Sequence, residues 1–221
     1  MTDKKITVVE RVALEIANGI ISGRFAPGQR LVESDLAQQF NTSRNPLREA
    51  FSRLASEGLL TIKPYQGAFV RRPTRQDLIE IFEVRENLEI LAARRAALNI
   101  STSPLRHTAI EVSTQLNNDN SKSLNFSEHI KENQSFHQLI MAISGNNLLK
   151  KTIDQLQLPI FQSVFFQSYN DNIWSASSLD HKEIINAILS GDPDASEAAI
   201  SKHIQRTSEL LLSLPDNYFS T

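Results

Sequence analysis

Residues 34–54 read SDLAQQFNTSRNPLREAFSRL, and this stretch decides the fold of the N-terminal third. Leu36, Ala37 and Phe40 fall on one face of a short helix running from Ser34 to Phe40. Asn41 follows where the chain has to turn sharply, and asparagine tolerates the left-handed backbone of a tight turn. Ser43 then stands where a helix cap belongs, ahead of a helix with the apolar stripe Leu47, Ala50, Phe51 and Leu54 that ends before Gly58. Short helix, tight turn and second helix is the plan of a helix-turn-helix.

The start of the second helix is Ser43-Arg44-Asn45-Pro46-Leu47-Arg48, where only Leu47 has to face inward. Polar side chains there are placed as in a recognition helix, whose first turns meet base edges. Arg44 and Arg48 are four apart and share a face, so both guanidinium forks can enter one groove, where they match guanine O6 and N7. The alternative reading of both arginines is a solvated helix face. Upstream, Val9, Val12, Ala13, Ile16 and Ile20 make one side of a further helix that Gly23 closes, and Ala26-Pro27-Gly28 is a turn. Downstream, Leu59–Lys63 and Ala68–Arg71 read as two strands around Pro64-Tyr65-Gln66-Gly67. That hairpin is a wing, with Gly67 allowing close backbone approach to phosphate and Lys63, Arg71 and Arg72 nearby.

Charge divides the chain in the same place. Met1 to Pro73 holds 11 Lys and Arg against 7 Asp and Glu, a balance of +4, whereas Thr74 to Thr221 holds 12 against 18, a balance of −6. A basic head lowers the free energy of phosphate contact, and an acidic body is repelled by the same polyanion. The chain has no cysteine, which excludes disulfides, thiolate metal sites and cysteine nucleophiles and leaves nitrogen and oxygen donors for any metal. The start, MTDKKITVVERV, is charged and lacks the apolar core of a signal peptide, and no run reaches the length of a membrane span, so the expectation is a cytoplasmic protein.

Gly23-Arg24-Phe25-Ala26-Pro27-Gly28-Gln29-Arg30-Leu31, Leu36-Ala37, Ser43-Arg44-Asn45-Pro46-Leu47-Arg48-Glu49-Ala50, Leu54, Glu57-Gly58-Leu59 and Gly67 together resemble the DNA-binding domain of GntR-type regulators, over about residues 8 to 71. The resemblance implies operator contacts from Ser43, Arg44, Asn45 and Arg48, with Gly67 beside the minor groove. Many relatives carry threonine where this chain has Asn45; bidentate asparagine prefers adenine, so the operator is expected to differ there.

Beyond Pro73 the pattern is helical throughout. Thr74 and Asp77 make a capping box for a helix reaching Ile100, which carries the stripe Ile81, Val84, Leu88 and Leu91 and a second side with Leu78, Phe82, Arg85 and Ala92 that should face inward. Ser103-Pro104 opens the next helix, Asn117-Asn118-Asp119-Asn120 breaks it, and another from near Phe126 to Ile143 ends at Gly145-Asn146. Leu148 onward continues with a kink at Pro159, and Ile173–Leu189 and Asp194–Leu212 form the last pair, split by Gly191-Asp192-Pro193. The expected architecture is mainly α, a winged helix-turn-helix over 1–73 and an all-helical bundle over 74–221.

Asn133 and His137 are one helical turn apart, while His181 and His203 lie in the last two helices; four such side chains converging in a bundle can hold a metal that suits imidazole. For each histidine taken singly, as for His107 and His129, a structural or surface role is the simpler reading. Asn133-x-x-Phe136-His137, Ser144-Gly145-Asn146, Asp180-His181, Ala187-Ile188, Gly191-Asp192, Ala195 and His203-Ile204 resemble the effector-binding FCD domain of the FadR-like branch. This second resemblance implies a divalent metal such as Zn or Ni on His137, His181 and His203, with Asn133 in place of the usual aspartate and therefore a weaker, uncharged donor. It also implies a small carboxylate effector gripped by Arg85, for which an i, i+4 pair with Glu89 is the competing account. Taken together the reading is a homodimeric regulator of a palindromic operator and not an enzyme. A metal-dependent enzyme on the bundle, with Asp180 as the nearest spare carboxylate, and a helical module with an empty pocket are the alternatives.

Overall fold

The computed structural model describes residues 6–118, 126–156 and 171–220. By its internal contacts the chain forms two compact units. One comprises the described residues up to Arg75 together with the tail from Pro215, and the other the described residues of Gln76–Gln157 and Tyr169–Leu214.

The first unit begins with α1, Val8–Ile21, opened by a capping box in which the Thr7 side chain accepts from Glu10 N and the Glu10 carboxylate accepts from Thr7 N. Its inward side is Val12, Ala13, Ile16 and Ile20, all buried. After the left-handed Gly23 the chain passes a turn to β1, Arg30–Leu31, then α2, Glu33–Gln39, the left-handed Asn41 and α3, Arg44–Ser56. Leu47, Ala50, Phe51 and Leu54 bury one side of α3 against the other two helices' apolar sides. β2, Leu60–Lys63, and β3, Gly67–Val70, close the wing, and β3 also pairs with β1, so the sheet order is β1-β3-β2 with all neighbours antiparallel. The two-residue β1 is an addition to the sequence reading; it is too short to show a period, although Leu31 is buried as a strand residue on an inner face. The tail returns to the linker, where Ser220 N donates to Pro73 O and the Arg75 guanidinium lies over the Phe219 ring.

The second unit is helical throughout its described residues: α4, Arg75–Asn99, which starts in the linker; α5, Arg106–Asn117; α6, Phe126–Ser144; α7, Asn147–Leu156; α8, Asp171–Leu189; and α9, Pro193–Leu212. α5 starts later than the Ser103-Pro104 pair implies. Ser103 instead makes a turn, its carbonyl accepting from Arg106 N and its hydroxyl from Leu105 N. α9 opens as the sequence suggests, with Asp192 Oδ1 accepting from Asp194 N and Ala195 N and Pro193 in the first turn. Pro159 and the Asn120 end of the asparagine break lie outside the described residues. Among the described residues no helix is long and apolar enough to cross a membrane.

The two sides of α4 separate clearly. Leu78, Phe82, Ala92, Ala93, Ala96 and Ala97 are buried in the unit's core, as the Leu78-Phe82-Ala92 side implies. Ile81 and Leu88 are half-buried, while Val84 and Leu91 are exposed, so the other apolar stripe lies at the surface.

Candidate functional site

In the first unit the start of α3 is a polar surface. Ser43, Arg44, Asn45 and Arg48 are exposed and Leu47 is fully buried, which divides this turn into an outward reading side and an inward anchor. Ser43 occupies the N-cap position, yet its hydroxyl makes no capping hydrogen bond. The positive end of the helix and its open N–H groups therefore face outward beside that hydroxyl, an arrangement that suits an anion such as phosphate. Arg44 makes no hydrogen bond or ion pair among the described residues. Arg48 differs: its Nε donates to both carboxylate oxygens of Glu33 at the start of α2, at 3.0 and 2.9 Å. Glu33 is a partner that sequence reasoning missed, because the two residues lie 15 apart and on different helices.

The wing carries Gly67 with φ of 95°, a conformation that favours glycine; a Cβ there would meet nothing closer than Arg30 Nε at 3.9 Å, so backbone conformation and not crowding explains the residue. At its tip Tyr65 also has positive φ and is fully exposed, a second residue the sequence reading passed over as turn. Lys63 lies over the Phe69 ring, and Arg72 is drawn back to the Pro27 carbonyl, so of the basic residues flanking the wing Arg72 is tied to the turn at Ala26–Gly28.

In the second unit α6, α8 and α9 bring His137, His181 and His203 together, all three buried. One ring nitrogen from each lies within 4.8 Å of the others, and the His181 and His203 ring centroids are 4.8 Å apart. The Phe136 ring stacks on His181 at 4.0 Å. Asn133, one turn before His137 on α6, is half-buried.

Two carboxylates back this cluster. Glu89 of α4 is 1% exposed and stands with Oε2 2.7 Å from His137 Nδ1, while its Oε1 accepts from Arg85 Nη2 at 2.8 Å. The Glu89–His137 approach is close but off the hydrogen-bond axis, so it acts chiefly as an electrostatic contact. Asp180 of α8 stands 3.2 Å from His203 Nδ1 and pairs with Arg206. In both cases the carboxylate faces Nδ1, which leaves Nε2 as the atom available to a ligand. His181 Nε2 is buried without a hydrogen-bond partner.

Burial pushes the Glu89 carboxyl upward, but the charges of His137 and Arg85 and their contacts outweigh it and hold the group well below the usual carboxylate range. Burial also pushes His181 and His203 down, reinforced at His181 by its two histidine neighbours and Arg206 and opposed at His203 by Asp180. Both imidazoles are thus kept neutral, the form that ligates a metal.

The donor set fits a divalent ion. Three imidazoles converge, two are oriented from behind by carboxylates, and one carries an orphaned buried nitrogen. The roughly 3.4 Å expected between ligands of a tetrahedral Zn at ~2.1 Å falls inside the 4.8 Å that bounds their separations. Arg85 is present as expected, mostly buried against Phe82, but its fork is held by Glu89 inside the unit. Asp180, the spare carboxylate of the enzyme alternative, is already engaged by His203 and Arg206.

A family model described as bacterial regulatory proteins, gntR family, matches residues 8–70, and one for the FCD domain matches residues 80–206. The HTH-type transcriptional repressor RspR of Escherichia coli (strain K12) is 32% identical over 192 residues, 86% of this chain and 82% of the relative. The Nta operon transcriptional regulator of Aminobacter aminovorans is 29% identical over 197 residues, 88% of this chain and 90% of the relative. Among solved structures, a GntR regulator from Rhodococcus sp. RHA1 superposes with a TM-score of 0.72 at 22% identity, covering 94% of this chain and 98% of the other, a likeness of fold.

Proposed function

Because this chain belongs to the gntR family of bacterial regulatory proteins and carries an FCD domain, which makes it a transcription regulator and not an enzyme, we propose that it is a ligand-responsive one. Its head, residues 1–73, reads a palindromic operator as one half of a homodimer. Ser43, Arg44, Asn45 and Arg48 enter the major groove, and Gly67 sets the wing close to the backbone. The observation that supports this most directly is the set of polar side chains exposed at the start of α3 while Leu47 anchors the same turn. Fluorescence anisotropy with a labelled operator fragment tests it: Arg44→Ala is expected to lower discrimination between operator and unrelated DNA about ten- to a hundredfold and leave the fold intact. Unchanged specificity overturns the assignment.

The body, residues 74–221, takes the signal: a small organic acid bound beside a divalent ion in a cytoplasmic protein. His137, His181 and His203 hold the metal, Zn or Ni, with Asn133 as a neutral fourth donor. When bound, the ion supplies a Lewis-acidic position for an effector carboxylate. Glu89 and Asp180 fix the imidazoles, and Arg85 adds positive charge to the wall once its fork is shared between Glu89 and the effector. Effector and DNA affinities are then coupled reciprocally. Metal analysis of protein dialysed against Zn checks the site: about one equivalent is expected, and its persistence in a His137→Ala, His181→Ala, His203→Ala triple variant removes the assignment.

A further inference from the structure

The outer face of α4 carries an apolar seam that its own unit leaves open. Ile81, Val84, Leu88, Leu91, Arg95 and Leu98 follow one another at spacings of three and four, the a and d positions of two and a half heptads. Val84 is 48%, Leu91 44% and Leu98 67% exposed, and Arg95 is exposed with its Nε on the Ser144 carbonyl. The opposite face of the same helix is separately buried through Leu78, Phe82, Ala92, Ala93, Ala96 and Ala97. A helix that is apolar on two opposed faces is one that becomes covered on both.

Charge along the helix identifies the occupant. The N-terminal half, to Asn87, carries Asp77, Glu80, Glu83 and Glu86 against Arg75 and Arg85, a balance of −2, and the C-terminal half carries Arg94, which also pairs with Asp194 and Glu197, and Arg95 against the buried Glu89, a balance of +1. Glu80 and Glu83 are exposed, Glu80 at the g position that borders the seam and Glu83 one position further out. A second copy of α4 laid parallel sets acid against acid. Laid antiparallel, as a two-fold axis between Leu88 and Leu91 requires, it sets the acidic half of each copy against the basic half of the other. The heptad pattern agrees: in that register each a position meets a d position, Ile81 against Leu98, Val84 against Arg95 and Leu88 against Leu91 of the second copy. Arg95 then lies beside the turn that bears Glu80 and Glu83.

We propose that this face of α4 is the surface through which two copies of the chain pair, antiparallel and about a two-fold axis near Leu88 and Leu91. The inference rests on the preceding reading only in taking a second copy as the partner. It adds the face, the direction of pairing and the residues that set them.

Sedimentation velocity on the full chain at micromolar concentration tests it, with circular dichroism to follow folding. Wild type is expected to be a dimer. Leu91→Glu is expected to shift it to monomer, because two carboxylates per dimer would enter the seam at its centre, whereas Leu14→Glu, at an exposed apolar position of α1, is expected to leave the dimer unchanged. Glu80→Arg with Glu83→Arg, and separately Arg95→Glu, are each expected to weaken dimerisation at least tenfold and to restore it when combined in one chain or when the two charge-reversed proteins are mixed. Should Leu91→Glu prove unfolded, the charge-reversal set alone decides. A wild type that is monomeric overturns both this inference and the homodimer reading. A dimer indifferent to Leu91→Glu and to the charge reversals overturns the α4 assignment alone.

Discussion

The two units place their functional side chains in opposite environments. In the head, Ser43, Arg44, Asn45 and Arg48 stand in water on a helix whose stability comes from Leu47 and its apolar neighbours. In the body, Glu89, His137, Asp180, His181 and His203 are all buried, so each polar group depends on another. The exposed set can be changed without disturbing the fold that presents it. The buried set is part of the fold, and binding and stability there are one quantity seen in two ways.

The largest expected effect follows from that difference. Glu89→Ala leaves the buried Arg85 and His137 facing each other without the carboxylate between them, and a loss of ~3–5 kcal/mol is expected, read by urea denaturation of the metal-free protein. A loss no larger than that of an ordinary surface substitution would show that water reaches the site and that the contrast between units is false. Leu47→Ala offers the head's counterpart. Its side chain is fully buried with no polar partner, so the cost of about 2–5 kcal/mol is one of packing alone. Operator affinity should fall in step with the folded fraction and not beyond it.

The same contrast explains what could be read from the residues alone. The helix-turn-helix lay in local pattern: a short amphipathic helix, Asn41 in the left-handed region, and a second helix with one inward residue in its first turn. Gly67, Gly145 and Gly191 were legible for a similar reason, since positive φ is a property of single residues. Glu33 on Arg48 was not legible, because nothing local joins a residue of α2 to one of α3. Glu89 was half legible. The i, i+4 pairing with Arg85 is local and is observed, but its burial and its contact with His137, on another helix, depend on how α4 and α6 pack. The three histidines share no periodicity with one another and were assembled by resemblance, and the structure brings them together. Periodicity also marked two apolar sides on α4, and the unit buries Leu78, Phe82 and Ala92 of the side expected to face inward.

Metal binding sharpens the comparison further, since an ion that binds only the folded body stabilises that unit. Zn at a free concentration of 100 times its dissociation constant should raise stability by ~2.7 kcal/mol, read as a shift of thermal midpoint that EDTA reverses. Asn133→Asp restores a charged donor and should shift the midpoint further at equal Zn, with tighter Zn binding in titration calorimetry. No difference between the two proteins would remove position 133 from the site.

The smallest effect on stability and the most specific on binding belongs to the arginines of α3. Arg44→Ala should alter stability by less than ~0.5 kcal/mol, as for surface positions without partners. It should cost about ten- to a hundredfold in discrimination between operator and unrelated DNA, the range of one bidentate guanine contact. Arg48 is more constrained, because Glu33 holds its Nε and so sets which edge of the guanidinium faces outward. Glu33→Gln removes that hold and also one negative charge from the side that meets phosphate. These two consequences have opposite signs. Affinity for unrelated DNA should rise and become more salt-dependent, because a repulsion is gone, while the ratio of specific to non-specific affinity should fall as Arg48 loses its fixed direction. Were both affinities to rise equally, Glu33 would be only a competitor for Arg48 and not the residue that aims it.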